Sequence, residues 1–354
     1  MSNIRVNTIN DASGGSNAVL YGVAAPVGSM GNRNRIINGD MRIDQRNNGA
    51  SMTVNTNNFN YTLDRWYGYG QLTDGVFTVQ RSITAPTGFT NSALTTVTTA
   101  DSSIGASQAY GFGQKVEGFN VADLGWGTAS AQNVTLSFQV RASVTGTYSV
   151  TFFNSAFNRG YTATFVINTA NTFETKTITI PGDTSGTWLT DNSVGITLWI
   201  SLGAGSTNTG TAGAWNTGTT YAATGQINLT STSGATFYIT GVQLEAGSVA
   251  SPFERRDYGR ELMMCQRYYS TVSGFSNYGY FAGASASLIQ TVPLPVSMRS
   301  APTVTITSNG SITAGYSAAV YGAAGLSAFS FQLISNAAGT GGSLNAAAKA
   351  EIEL

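Results

Sequence analysis

Val134-Thr-Leu-Ser-Phe-Gln-Val140 places an apolar side chain at every second position. In an extended chain, successive side chains point to opposite faces. Val134, Leu136, Phe138 and Val140 therefore share one face, and Thr135, Ser137 and Gln139 the other. This is the pattern of a strand with one buried and one solvated side. The same texture continues outward. Tyr148, Val150 and Phe152 follow a Thr145-Gly146 turn, and Tyr161, Ala163, Phe165 and Ile167 form the next run. Ile178 and Ile180 precede a Pro181-Gly182 stop, and Val194, Ile196, Leu198 and Ile200 come after it. Turn signals recurring roughly every eight to twelve residues predict an antiparallel sandwich from Arg35 to about Glu245. Phe237 and Ile239 lie on one parity, Val242 and Leu244 on the other. Gly241 between them reads as a β-bulge that keeps both pairs facing inward.

Composition agrees with an all-β chain that has a neutral surface. Apolar residues make up 42% and aromatics 11%, enough to build cores. Charged residues are only 10%, against about 25% in ordinary globular proteins. Lys+Arg and Asp+Glu are both 17, so no net field attracts nucleic acid or an anionic membrane. One cysteine, Cys265, allows no internal disulfide and reads as a buried small side chain. Stability is left to packing and oligomerisation, which suits folding in a bacterial cytosol. The start, Met1-Ser-Asn-Ile-Arg-Val-Asn, carries no secretory pattern, and no run approaches the ~18 apolar residues that would span a bilayer.

Residues 1–33 differ in texture from the rest of the chain. Ile4–Ile9 alternates like a short strand, Asp11–Ser16 is a breaker, and Ala18–Val27 is interrupted by Gly22 and Pro26. So short a segment builds no core of its own and reads as an arm that orders on a neighbouring subunit. Arg260–Tyr269 lacks Gly and Pro and is the best helix candidate, with Leu262, Cys265 or Gln266, and Tyr269 on one face. Beyond it, Ser287–Val296, Pro302–Thr307 and Phe329–Ile334 are strand-like, predicting a small β-sandwich over 257–354. No fixed-period repeat is present, which argues against a parallel β-helix.

Histidine is absent, which removes Ser-His-Asp and Cys-His activation and the commonest general base near neutral pH. With one cysteine there is no zinc ligand set. Nucleophile elbow, dinucleotide turn and phosphate loop are all missing, and the acidic residues are scattered, so spacing nominates no carboxylate pair. The expectation is a protein that is not an enzyme.

Two stretches bracket the sandwich. Arg33-Asn-Arg-Ile-Ile-Asn-Gly-Asp-Met-Arg-Ile-Asp44 leads to Tyr61-Thr-Leu-Asp-Arg-Trp66. Phe237-Tyr-Ile-Thr-Gly-Val-Gln-Leu-Glu-Ala-Gly247 is followed by Ser251-Pro-Phe-Glu-Arg-Arg256. Together they resemble the two ends of the carbohydrate-binding-module-like jelly roll found in many bacteriophage tail-fibre and tail proteins, in which Asn-Gly-Asp-Met is a start strand. The resemblance covers roughly the middle two-thirds of the chain. It implies a virion-attachment arm over 1–33 that docks on other tail proteins, a jelly roll over 34–256, and a receptor-binding tip over 257–354. It also implies a homotrimer assembled in the host cytoplasm, located on the virion, that adheres to host surface polysaccharide without chemistry. A purely architectural virion protein (head fibre, capsid decoration or baseplate subunit) is the alternative, and a polysaccharide depolymerase the third reading. Such jelly rolls often hold a structural calcium. Asp40 matches its start-strand acid, but Thr240-Gly241 stands where the last-strand acid belongs, so no cofactor or metal is expected.

Arg33, Arg35, Arg42 and Arg46 interleave with Asp40 and Asp44 and read as local ion pairs and interface contacts, as does Glu254-Arg255-Arg256. Trp66 reads as a core anchor. The candidate glycan contacts are Trp215 and Tyr221 in the long polar connection 206–225, and Phe275, Asn277, Tyr278 and Tyr280 at the head of the last domain. Aromatic faces there would stack on sugar rings and the amide would meet hydroxyls. A packing role competes at each aromatic, and if 275–281 is a strand at least half of its aromatics must face inward.

Overall fold

The alternations assemble as antiparallel sheets in the computed structural model, which describes residues 33–54, 57–71, 74–321 and 325–354. Apart from Arg33, the expected arm lies outside the described residues. The first sheet runs, in spatial order, Met52–Val54, Val76–Ser82, Ser92–Thr99, Thr236–Ala246, Val134–Ala142 and Glu174–Ile180. The second runs Trp215–Thr217, Arg159–Ile167, Gly146–Phe153, Val194–Ala204, Ala109–Glu117, Trp66–Gln71 and Asn60–Tyr61. Strands distant in sequence are neighbours in both sheets, the crossing connectivity of a jelly roll. The fold is all-β, as the periodicity predicts.

One apolar core fills the space between these sheets. Val134, Leu136, Phe138 and Val140 face it, and Trp66 stacks on Phe112 with ring centroids 5.1 Å apart. The bulge sits where parity requires it. Thr240 pairs with Gln139 and Gln243 with Ser137, so the Thr236–Ala246 strand spends one extra residue there. Gly241 adopts φ +61°, a left-handed conformation that suits a residue without Cβ. Phe237, Ile239, Val242 and Leu244 are all buried as a result.

The Asn38-Gly39-Asp40-Met41 stretch is not the start strand the resemblance implies. Arg35 N–H reaches Leu244 O at 2.8 Å, and the chain then turns, with φ 55° at Asn38 and 59° at Met41. The buried Asn38 amide explains the turn: it bonds both the N–H (3.0 Å) and the carbonyl (2.8 Å) of Ile43. Its Nδ2 also donates to Asp64 O at 3.0 Å, while Trp66 Nε1 donates to Asn38 O at 2.9 Å. The two leading motifs thus brace each other. The trailing motif closes the frame: Glu254 N–H donates to Gln243 Oε1 at 2.7 Å, and Arg256 donates to Ile36 O at 3.0 Å.

Asp257 caps the helix Tyr258–Gln266 by accepting from Gly259 N–H at 2.9 Å. The helix buries Glu261 and Cys265, and Glu261 bonds Asn38 N–H and pairs with Arg256 at 3.2 Å. Burial pushes the Cys265 thiol well above its ordinary value.

After the helix come two smaller sheets, Tyr269–Phe281, Gly339–Glu351 and Thr303–Ser308, and Ser287–Pro293, Ala328–Ser335 and Tyr316–Tyr321. Phe275, Val292, Phe329 and Phe331 form the core of this part. The long strand Gly339–Glu351 returns the chain to the jelly roll, where Glu353 pairs with Arg46 (2.7 Å) and Arg65. Arg65 is buried at φ 72°, donates to Lys115 O at 2.6 Å and lies 3.5 Å over the Tyr268 ring. Asn34–Leu354 accordingly forms one unit. Arg42 pairs with Asp40 at 2.5 Å, as local interleaving predicts. Arg35 instead reaches Asp123 at 2.6 Å and Arg46 reaches Glu351 at 2.5 Å.

Candidate ligand groove

The alternation that sends Val134–Val140 into the core sends Ser137 and Gln139 outward. On the edge strand Thr175 lies opposite Gln139, and Thr177 opposite Ser137. The Gln139 amide donates to Thr175 Oγ1 at 2.7 Å, which ties the two strands' outward side chains together. Two chain segments rise beside this hydroxyl and amide floor. One is the connection after Val76–Ser82, carrying Phe89. The other follows Thr236–Ala246 and carries Ser251, Phe253 and Arg255. Together they enclose a groove of about 380 Å³.

Phe89 and Phe253 meet edge to face, with centroids 5.3 Å apart. The Arg255 guanidinium lies 4.7 Å from the Phe89 centroid and 5.8 Å from that of Phe253. Phe89 rests directly on the bulge: a Cβ at Gly241 would stand 2.7 Å from its Cζ. The bulge therefore serves the core through parity and the groove through the room it leaves. The lining offers hydroxyls, an amide, two aromatic rings and a guanidinium. Its residues include no carboxylate, thiol or imidazole, so they supply no acid–base pair.

None of the six candidate contacts lines this groove. Trp215 is half-buried in a cluster with Trp126 (5.2 Å), Trp188 (5.5 Å) and Tyr161 (5.2 Å). Its indole N–H donates to Pro181 O at 2.9 Å, and Arg159, held by Asp183 at 2.6 Å, covers it. Tyr221 is half-buried against Trp199 (4.9 Å) and Phe153 (5.4 Å) on the outer face of the second sheet. Burial, with Tyr69 nearby, raises its hydroxyl to about 12. Phe275 belongs to the second core, 4.9 Å from Phe331. Asn277 is buried, donating to Leu288 O at 2.9 Å. Tyr278 and Tyr280 are 60% and 69% exposed on one face of the Tyr269–Phe281 strand, an open pair of rings.

Sequence reasoning missed Phe89, Phe253 and Arg255. Glu254-Arg255-Arg256 reads as ion pairs, and Glu254 and Arg256 do turn inward and pair at 3.8 Å. Arg255, between them, points outward into the groove. Strand-like alternation at 251–256 would have separated them. Among the described residues no cluster of three or more His, Cys, Asp or Glu is present, and no helix is long and apolar enough to cross a membrane.

No protein-family model matches the chain, and no curated protein matches it. Several solved structures are similar to it at low identity. The enzymatically active domain of tailspike protein 4 of bacteriophage CBA120 is 12% identical over 61% of this chain and 22% of that one, with a TM-score of 0.30. The chain thus matches about a fifth of that domain's length. The family 11 carbohydrate-binding module of the cellulosomal cellulase Lic26A-Cel5E of Clostridium thermocellum is 12% identical over 52% of this chain and 90% of that one, with a TM-score of 0.29. The CBM22-1 xylan-binding domain of Paenibacillus barcinonensis Xyn10C is 10% identical over 58% of this chain and 99% of that one, with a TM-score of 0.25.

Proposed function

We propose that this chain is a non-catalytic glycan-binding subunit of a bacteriophage tail, using the outer groove of the first sheet to hold host surface polysaccharide. The observation that carries the binding role is the groove itself. A floor of Ser137, Gln139, Thr175 and Thr177 matches sugar hydroxyls, and Phe89 and Phe253 match the apolar faces of sugar rings. The groove's lack of a carboxylate or imidazole supports binding without hydrolysis. The tail assignment rests on the resemblance of the Asn38-Gly39-Asp40-Met41, Asp64-Arg65-Trp66 and Gly241-Val-Gln-Leu-Glu245 motifs. In this reading residues 1–33 dock on other tail proteins, and a homotrimer assembled in the host cytoplasm presents three grooves. Weak single-site contacts then act together on one surface.

The full chain applied to host polysaccharides should bind and leave polymer length unchanged, and Phe89→Ala should abolish binding while the protein stays folded. Loss of polymer size on incubation would replace this reading with a depolymerase. An architectural virion role is favoured by one observation, that the three motifs are occupied by internal bonding. A folded chain that binds no host glycan would establish that role.

A further inference from the structure

We infer that the groove selects an anionic glycan, one whose repeat carries an acidic group that Arg255 receives. This deepens the glycan reading and rests on it. Arg255 is exposed, lines the groove and makes no ion pair among the described residues. Its neighbours behave oppositely. Glu254 accepts from Asn34 N–H at 2.7 Å, and Arg256 is buried on Glu261 and the carbonyls of Asn34 and Ile36. The acids beside this region are already engaged: Glu245 is buried and accepts from Gln243 Nε2 (2.8 Å), Ser251 N–H (2.8 Å) and Ser251 Oγ (2.6 Å), and Glu174, next to Thr175, pairs with Lys176 at 2.6 Å.

A guanidinium centred 4.7 Å from the Phe89 ring, and in no ion pair among the described residues, keeps N–H groups for an incoming anion. A planar fork of this kind suits carboxylate or phosphate oxygens. A second station of the same kind lies further along the sheet. Arg141 stands two residues beyond Gln139 on the same outward row, with its guanidinium 4.9 Å from the ring of its cross-strand partner Tyr238. Phe173 packs on Tyr238 at 6.2 Å. Cation on ring, hydroxyl and amide floor, and cation on ring again form a track suited to a polymer with repeating negative charge. In a chain with only 10% charged residues, two such arginines on one sheet face are a local concentration of positive charge.

The test applies full-length wild type and Arg255→Gln to an array of bacterial surface polysaccharides. Each acidic member is printed in native form and with its acidic groups removed, by carboxyl reduction or by dephosphorylation. The expected result is that bound members are acidic and that neutralising them weakens binding about tenfold or more. Arg255→Gln should weaken native binding to the same degree and leave binding to the neutralised form unchanged. Which treatment matters tells carboxylate from phosphate. Equal binding to native and neutralised glycans, or an Arg255→Gln variant that binds as wild type, overturns the anion selection while leaving the glycan reading intact. A folded protein that binds no member overturns both.

Discussion

Gly241→Ala tests whether a single bulge residue holds the groove open. The new Cβ would stand 2.7 Å from Phe89 Cζ, so the ring must retreat by about 0.7 Å to reach ordinary van der Waals contact. The backbone at φ +61° adds strain of about 1–2 kcal/mol for a residue with a Cβ. Disturbing the edge-to-face contact of Phe89 with Phe253 adds about 0.5–1.5 kcal/mol. The expected destabilisation in urea is therefore about 1.5–3.5 kcal/mol, with glycan binding weakened as much as by Phe89→Ala. In a Phe89→Ala background the clash is gone and only the strain remains. The cycle should then show a coupling of about 1 kcal/mol between the two positions. Additive effects, or a Gly241→Ala protein that binds as wild type, would refute the claim that the bulge seats Phe89.

Glu353→Ala removes the carboxylate shared by Arg46 and Arg65, whose side chains are 9% and 1% exposed, and should cost about 3–5 kcal/mol in urea unfolding. A cost below about 1 kcal/mol would show that the return of the chain end contributes nothing. Gly39→Ala drives a Cβ into the backbone carbonyl of Val242, which cannot move without breaking the sheet. Loss of more than about 4 kcal/mol, or failure to fold, is expected by circular dichroism. Burial, with Arg65 nearby, lowers the Lys115 ammonium from 10.5 to about 8. Between these values the unfolded chain binds more protons than the folded one, so this group makes stability rise with pH through that window. Below about pH 8 the buried charge costs on the order of 3 kcal/mol. Cys265 and the buried tyrosines, whose values are raised, act in the opposite sense above about pH 9. The decisive measurement is thus the difference between wild type and Lys115→Met. The variant should gain stability at pH 7 and lose that advantage by pH 10.5, whereas a constant difference would contradict the assignment.

The candidate site was legible only in part. The floor was implicit in the alternation that buries Leu136 and Phe138, because a strand that buries one row must expose Ser137 and Gln139. The walls were not, because Phe89 meets Gly241 and Phe253 only once Ser92–Thr99 has paired with Thr236–Ala246, about 145 residues away in the chain. Trp215 and Tyr221 drew attention as aromatics in a polar connection. The structure gives their rings neighbours, Trp126 and Trp188 for the first and Trp199 for the second, that lie far from them in sequence.

Local chemistry in the chain by itself determined the alternating strands from Val134 to Ile200, the inward parity on both sides of Gly241 and a helix near Arg260, which the structure sets at Tyr258–Gln266. Each depends on residues within a few positions of one another, where periodicity, turn preference and capping act directly. Tertiary structure decided the rest. Asn38 turns where a strand was expected because its amide finds Ile43 and Asp64 in a buried corner. Gly339–Glu351, rich in Gly and Ala, is a strand because it lies between Tyr269–Phe281 and Thr303–Ser308. Arg65 meets Glu353 across 288 positions of sequence. Arg255 became a groove residue, and Arg256 a buried one, because packing left space on one side of the segment and carbonyls on the other. Contacts of this range depend on where whole sheets come to rest, which no local pattern encodes.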